Sequence, residues 1–207
     1  MLNPQSFAQT VPALRSLAIP IVDLAFRAIH LRWFPNPSMS NPLFGVLKAS
    51  RYVPDQGAFL SLYFALDAET AYREGNQEFY RLIGSPAGEQ LAKAGALRPE
   101  PLWSVGTHIQ MARMLDLRLG FVRTALGIVS DADIQMPWNA VSAATPTQVL
   151  GKAVHADGFF EGIVFPSLQN SGGVCVVAFP DRLLPTSHID YRGFVGPSGV
   201  MPDRRLP

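Results

Sequence analysis

Residues 145–179, TPTQVLGKAVHADGFFEGIVFPSLQNSGGVCVVAF, decide the fold class in one run. Thr145 offers a capping hydroxyl, Pro146 takes a first helical position where its missing N–H is not needed, and Gly158 supplies a left-handed stop. The spacing therefore predicts a helix over Pro146 to Asp157. Two short apolar runs follow, Gly162 to Pro166 and Val174 to Phe179, with polar Ser167 to Gly173 between them. That is the pattern of adjacent strands in a buried sheet. Helix and strands alternate, which makes the class α/β (mixed α+β), a compact single domain around a central sheet.

Working outward, Ala58 to Ala65 (AFLSLYFA) reads as a strand, and Asp67 is placed to cap a helix from about Ala68 to Leu82. Glu69 and Arg73 form an i,i+4 pair on that helix. Ala112 to Leu119 alternates as a further strand. Gly and Pro cluster at Pro35 to Pro42, Pro54 to Gly57, Gly84 to Gly88, Pro99 to Pro101, Gly172 to Gly173 and Pro197 to Gly199, marking the connections. The domain organisation expected is an N-terminal segment over 1–25, a core domain over 26–185 and a loosely held C-terminal tail over 186–207.

Composition excludes several function classes. With 48% hydrophobic and 16% charged residues in a chain of 207, against about 25% charged in ordinary soluble domains, disorder across the chain is excluded. Seventeen Lys and Arg against sixteen Asp and Glu leave a net charge of +1, so no global field draws in nucleic acid or an acidic membrane. Leu17 to Leu31 is apolar but interrupted by Pro20, Asp23, Arg27 and His30, too short and too charged to span a bilayer, and no secretion signal precedes it. One cysteine and no paired Cys/His spacing leave no disulfide and no metal site, and a cytoplasmic setting is expected. The nucleotide-binding glycine motifs, the nucleophile elbow and the zincin helix are absent. Cys175, within VCVVAF, reads as a small hydrophobe, the four histidines as surface or hydrogen-bonded core residues, and Ser130-Asp131-Ala132-Asp133 equally as a carboxylate pair or as a turn and N-cap.

Three segments stand out together: Phe26-Arg27-Ala28-Ile29, then Ser50-Arg51-Tyr52 through Tyr63 to Glu74, then Thr147-Gln148 through Gly158-Phe-Phe-Glu161-Gly162-Ile163 to Pro166-Ser167. In this order and spacing the chain resembles the RES domain family over roughly Phe26 to Leu183. The resemblance implies a bacterial toxin of a toxin–antitoxin pair, with a fold similar to that of ADP-ribosyltransferases. It also implies a homodimer and a helix-turn-helix antitoxin of Xre type. The implied reaction cleaves the nicotinamide–ribose bond of NAD, the substrate rather than a prosthetic group, with phosphate or water as acceptor. Mono-ADP-ribosylation of a protein target and a non-catalytic binding role are the alternatives.

The family's two arginines match Arg27 and Arg51, its Tyr matches Tyr63, its Glu matches Glu74 and its Ser matches Ser167. Glu74, Arg51 and Ser167 are thereby expected to be catalytic, and all five to bind NAD. Residue chemistry agrees. Guanidinium groups hold a pyrophosphate where no glycine-rich loop exists. A carboxylate stabilises the oxocarbenium-like charge left as nicotinamide departs. An aromatic ring such as Tyr63 stacks on a cationic ring, and Ser167 donates a hydrogen bond to ribose or amide. Read singly, Arg27 snorkels to the surface, Tyr63 is core, Glu74 is a solvated helix charge and Ser167 is a turn residue. Ser50-Arg51-Tyr52-Val53 departs from the family's usual Gly-Arg-Trp-Asn, and Arg32 is a neighbouring alternative to Arg27.

Overall fold

A computed structural model describes residues 6–31, 49–54, 58–135 and 144–191, with the backbone of short strands at 195–196, 199–200 and 204–206. Arg32, the Pro35 to Pro42 connection, Gln56 and much of the expected C-terminal tail lie outside the described residues. The chain opens with α1 (Phe7–Thr10) and a 3-10 turn over Val11–Leu17, then enters β1 (Ile19–His30). β2 (Leu62–Ala65), α2 (Ala68–Gly75), α3 (Gln77–Ile83) and α4 (Pro86–Lys93) lead to β3 (Leu102–Asp116). After α5 (Gly120–Ala125), α6 (Ala132–Gln135) and α7 (Pro146–Asp157) come β4 (Gly162–Pro166), β5 (Val174–Ala178) and β6 (His188–Tyr191). β7 (Val195–Gly196) pairs with β8 (Gly199–Val200), and β9 (Arg204–Leu206) adds to β6.

β3 organises the sheet. Along it Val105, Thr107, Ile109 and Met111 are buried while Ser104, Gly106, His108 and Gln110 face outward, the two-residue period of a half-buried strand. One edge pairs antiparallel with β1 from Ile19↔Met114 to His30↔Leu102. The other takes β6 antiparallel at His108–Gln110 and β4 parallel at Met114–Asp116. β4 pairs with β5 and β5 with β2, both antiparallel, and β2 meets β1 through the single pair Phe26↔Ala65. The ladder thus returns to β1, and its closing seam has one residue pair. Ile21, Ala25, Leu62, Phe64, Val164 and Val176 pack together on one face, the face the strands enclose. On the other face Ala65, Ile163, Phe165 and Val177 pack with Phe7, Val11, Leu150 and Val154 from the helical layer.

α7 has the predicted ends. Thr145 Oγ1 accepts from Gln148 N–H, Gln148 Oε1 accepts from Thr145 N–H, and Gly158 closes the helix at φ 71°. β4 and β5 lie where the apolar runs placed them, and Asp67 caps α2 by accepting from Thr70 N–H at 2.7 Å. Of the two readings of Ser130 to Asp133 the structure takes the turn, with Asp133 Oδ2 accepting from Val129 and Ser130 N–H, both at 2.9 Å.

Other expectations need correction. The strand read over Ala58 to Ala65 is confined to Leu62–Ala65, and that read over Ala112 to Leu119 is the end of a much longer β3. The single helix expected over Ala68 to Leu82 breaks at Asn76, whose buried amide accepts from Glu100 N–H at 2.7 Å and donates to Glu100 C=O at 3.2 Å. Nor do the domain boundaries at 25 and 185 follow the sheet. The first cuts β1, the N-terminal segment buries Phe7, Val11 and Leu14 and ties Arg15 to Asp157 at 2.7 Å, and β6 lies past the second.

One buried carboxylate ties the strands together. Glu161, fully buried, accepts from Ala112 and Arg113 N–H on Oε2, both at 2.8 Å, and from Leu184 N–H on Oε1 at 3.1 Å. It satisfies three buried backbone donors, which gives the Glu161 that precedes Gly162-Ile163 a structural role.

Candidate active site

α2 packs over β1, and its last turn carries Glu74 toward the β1–β2 seam. Glu69 and Arg73 form the expected i,i+4 pair at 2.6 Å on the exposed side, which leaves Glu74 to the sheet side. There the loop after β4 receives it. Ser167 Oγ donates to Glu74 Oε1 at 2.7 Å, Leu168 N–H at 2.9 Å and Gln169 N–H at 3.4 Å. All three fall on Oε1, and among the described residues none falls on Oε2, which keeps its acceptor capacity toward them. The Ser167 hydroxyl is fully used, since it also accepts from Gln169 N–H at 3.2 Å and Asn170 N–H at 3.1 Å. The loop is pinned to the start of α2, where Asn170 Nδ2 donates to Thr70 Oγ1 at 2.7 Å and the Thr70 hydroxyl donates to Asp67 at 2.6 Å.

Arg51 stands on a tight turn in which Ser50 and Val53 exchange backbone hydrogen bonds. Its side chain is buried to all but 8%, and Nη1 donates to the Ile134 carbonyl at the end of α6 at 3.0 Å. Among the described residues no carboxylate pairs with it. The Tyr63 hydroxyl accepts from Tyr52 N–H at 3.0 Å and lies 2.8 Å from Ser50 Oγ, so it is committed to the same turn. Burial pushes the Tyr63 phenol up to about 12, against partial relief from the Ser50 and Tyr52 bonds.

These groups share one cavity of about 210 Å³ over the seam, lined by Phe26, Ala28, Arg51, Tyr63, Glu74 and Phe165 among others. Its wall is largely apolar and aromatic, with a carboxylate and a guanidinium converging on it, the composition of a site for an organic ligand with a polar end. Cys175 also lines it; burial pushes this thiol above its ordinary range, so it stays protonated and is no nucleophile. Among the described residues no group of three or more His, Cys, Asp or Glu could hold a metal ion.

Four of the five expected residues meet here: Arg51, Tyr63 and Glu74 line the cavity, and Ser167 grips Glu74. Arg27 does not join them. Phe26 and Ala28 face the cavity, so by strand alternation Arg27 faces the enclosed side with Ala25 and Ile29. Its Nη1 reaches across the seam to the Tyr63 carbonyl at 3.5 Å, its Nε is buried without a partner among the described residues, and burial holds its pKa below the ordinary guanidinium value. The other side chains carry further contacts. Ser167, with donor and acceptors spent, orients Glu74, and the Tyr63 hydroxyl secures the Arg51 turn while its ring forms the wall. Thr70 stands within the second of the segments that carry the resemblance, and Asn170 and Ile134 were not singled out in the sequence. The first two had a signal in the helix start and the polar loop, whereas the Ile134 group is a backbone carbonyl, which no side-chain pattern marks.

A family model described as the RES domain matches residues 24–192. No curated protein matches the sequence. Among solved structures, a chain of the M. tuberculosis MbcT–MbcA toxin–antitoxin complex superimposes with a TM-score of 0.57 at 17% identity, covering 98% of this chain and 92% of that one. At that identity the likeness is one of fold.

Proposed function

Because this chain belongs to the RES domain family, we propose that it is the toxin of a toxin–antitoxin pair and acts by cleaving the nicotinamide–ribose bond of NAD. The observation that carries this reading is the arrangement of two opposite charges that do not pair with each other. Among the described residues Glu74 is fixed through Oε1 and the nearly buried Arg51 through Ile134, in one small apolar cavity. A carboxylate with one oxygen in reserve suits a developing cation, and a guanidinium without an acid suits an anion.

In the proposed reaction the nicotinamide ring lies against Tyr63 and Phe165, and Arg51 takes a phosphoryl oxygen. The C–N bond breaks with its electron pair going to the pyridinium nitrogen, which leaves neutral. Glu74 Oε2 stabilises the positive charge left on the ribose, directly or through a ribose hydroxyl. Phosphate or water gives an electron pair to C1′ and releases a proton. Arg27, which faces the enclosed side and reaches the Tyr63 carbonyl, is assigned no contact with NAD. The cavity alone is smaller than most sites for drug-sized ligands, roughly 300–1,000 Å³, so it accommodates the nicotinamide end and leaves the rest of the dinucleotide outside. An Xre-type antitoxin that covers this cavity and a homodimer belong to the same proposal. The solved toxin–antitoxin neighbour supports the antitoxin part.

Purified protein incubated with NAD, with and without phosphate, and assayed for nicotinamide by chromatography tests the reading. Phosphate-dependent release identifies phosphorolysis, and phosphate-independent release identifies hydrolysis. A folded protein that releases nicotinamide only while labelling a protein substrate with ADP-ribose is a transferase. One that releases none under any of these conditions refutes NAD cleavage.

A further inference from the structure

The Arg51 turn lies so close to α7 that a Cβ on Gly151 would meet the Tyr52 carbonyl oxygen at 2.0 Å. One side chain of that helix reaches both ends of the turn. The buried Gln148 amide donates from Nε2 to the Ser50 carbonyl at 2.9 Å and to the Val53 carbonyl at 3.3 Å. Its Oε1 accepts from Thr145 N–H at 2.9 Å, so partners on both sides fix which end is nitrogen. Two N–H donors and one acceptor at this length are what only a glutamine supplies.

We infer that Gln148 is a positioning residue for Arg51. It holds the Ser50 to Val53 turn in the register that aims the guanidinium at both the cavity and the Ile134 carbonyl. Gln148 itself does not line the cavity. The inference rests on the preceding reading only for what Arg51 does. Helix capping alone would be shared with Thr145, whose hydroxyl accepts from Gln148 N–H at 3.4 Å; the grip on the turn is not.

Three variants separate the two roles. Gln148→Met keeps the length and removes the donors. Gln148→Glu turns a carboxylate oxygen toward the two carbonyls. Thr145→Ala removes the capping hydroxyl and leaves the turn contacts. Hydrogen exchange is followed in peptides covering 50–53 and α7, together with the modification rate of Arg51 by an arginine-directed dicarbonyl reagent. Both Gln148 variants are expected to speed turn exchange and Arg51 modification about tenfold, the scale of losing about one net hydrogen bond. Thr145→Ala is expected to loosen only the first turn of α7. In Gln148→Glu the loosening relative to wild type should shrink on acidification, because the protonated carboxyl regains one donor; a plain loss of helix stability would not recover in this way. Wild-type exchange and modification in Gln148→Met, or equal loosening of the turn by Thr145→Ala, overturns the inference. If Gln148→Glu does not fold at neutral pH, Gln148→Met decides. None of these readouts uses NAD, so a wild-type protein that leaves NAD intact refutes the proposed function without altering this result.

Discussion

Replacing Ser167 by alanine separates a positioning role from a chemical one. The substitution removes a 2.7 Å donor to Glu74 Oε1 and an acceptor for Gln169 and Asn170 N–H. A hydrogen bond to a charged group contributes about 1.5–3 kcal/mol net. Leu168 N–H at 2.9 Å and Gln169 N–H at 3.4 Å still hold the carboxylate, so its orientation is loosened rather than lost. Carried into the transition state, that loss lowers NAD turnover by about 10- to 150-fold. Glu74→Gln, which removes the charge itself, should lower turnover by about 10²–10³-fold, the scale of losing one preorganised electrostatic partner. The assay is the initial rate of nicotinamide release at saturating NAD, with thermal melting to show that each variant is folded. Because Ser167 acts through Glu74, Ser167→Ala should add little in a Glu74→Gln background. A wild-type rate in Ser167→Ala would mean that the loop does not orient Glu74. A folded Ser167→Ala as inactive as Glu74→Gln, with additive loss in the double variant, would return Ser167 to the chemistry.

Three further outcomes follow from the fold and the seam. Glu161→Gln, which keeps one acceptor oxygen for the buried backbone N–H groups but removes the charge and turns an NH2 toward at least one of them, should cost about 3 kcal/mol and lower Tm by roughly 6–12 °C; a melting curve within about two degrees of wild type would refute the clamp. Burial pushes Tyr63 and Tyr191 up to about 12, above the ordinary value of 10.0, so their contribution to stability is full below pH 10 and is lost as pH rises through about 12. Alkaline unfolding and the ionisation of these tyrosines, followed by ultraviolet absorbance, should therefore coincide; ionisation of every tyrosine near 10 with the fold intact would contradict it. Arg27→Met should raise Tm, since it removes a partly buried cation with no acidic partner among the described residues, and should leave NAD affinity measured by calorimetry unchanged. A lower Tm would make Arg27 a seam brace, and a weakened affinity would return it to the NAD site.

What was legible in the sequence follows from how local each signal is. α7 could be placed to the residue because its start and stop are written in Thr145, Pro146, Gln148 and Gly158. β1 was hidden because Val22 and Leu24 are apolar yet exposed, so the alternation that marks a half-buried strand is blurred where it should be clearest. The break at Asn76 depends on the backbone of Glu100, a tertiary partner that local helix propensity does not include. In the site, the association of Arg51, Tyr63, Glu74 and Ser167 was implied by the resemblance to the RES domain family, since read singly each of them has a structural role. The face taken by Arg27 depends on strand parity, which becomes visible only once Phe26 and Ala28 are placed.

The separate anchoring of the two charges explains why so many residues away from the cavity matter to it. A mobile guanidinium and a mobile carboxylate in one small apolar cavity would collapse onto each other, since their attraction rises as water is excluded. Such an ion pair would then have to be broken before any ligand bound. Here Glu74 is drawn toward the Ser167 loop and Arg51 toward the Ile134 carbonyl, and no ion pair between them forms. Each anchor spends hydrogen bonds from backbone groups that need partners in any case. The seam where this happens is also where the ladder is weakest, with one residue pair between β1 and β2, so the strands there leave room that a continuous sheet would fill. The site is therefore set less by the charged residues themselves than by what keeps them apart, and substitutions at Ser167 or Gln148 should disturb it without touching either charge.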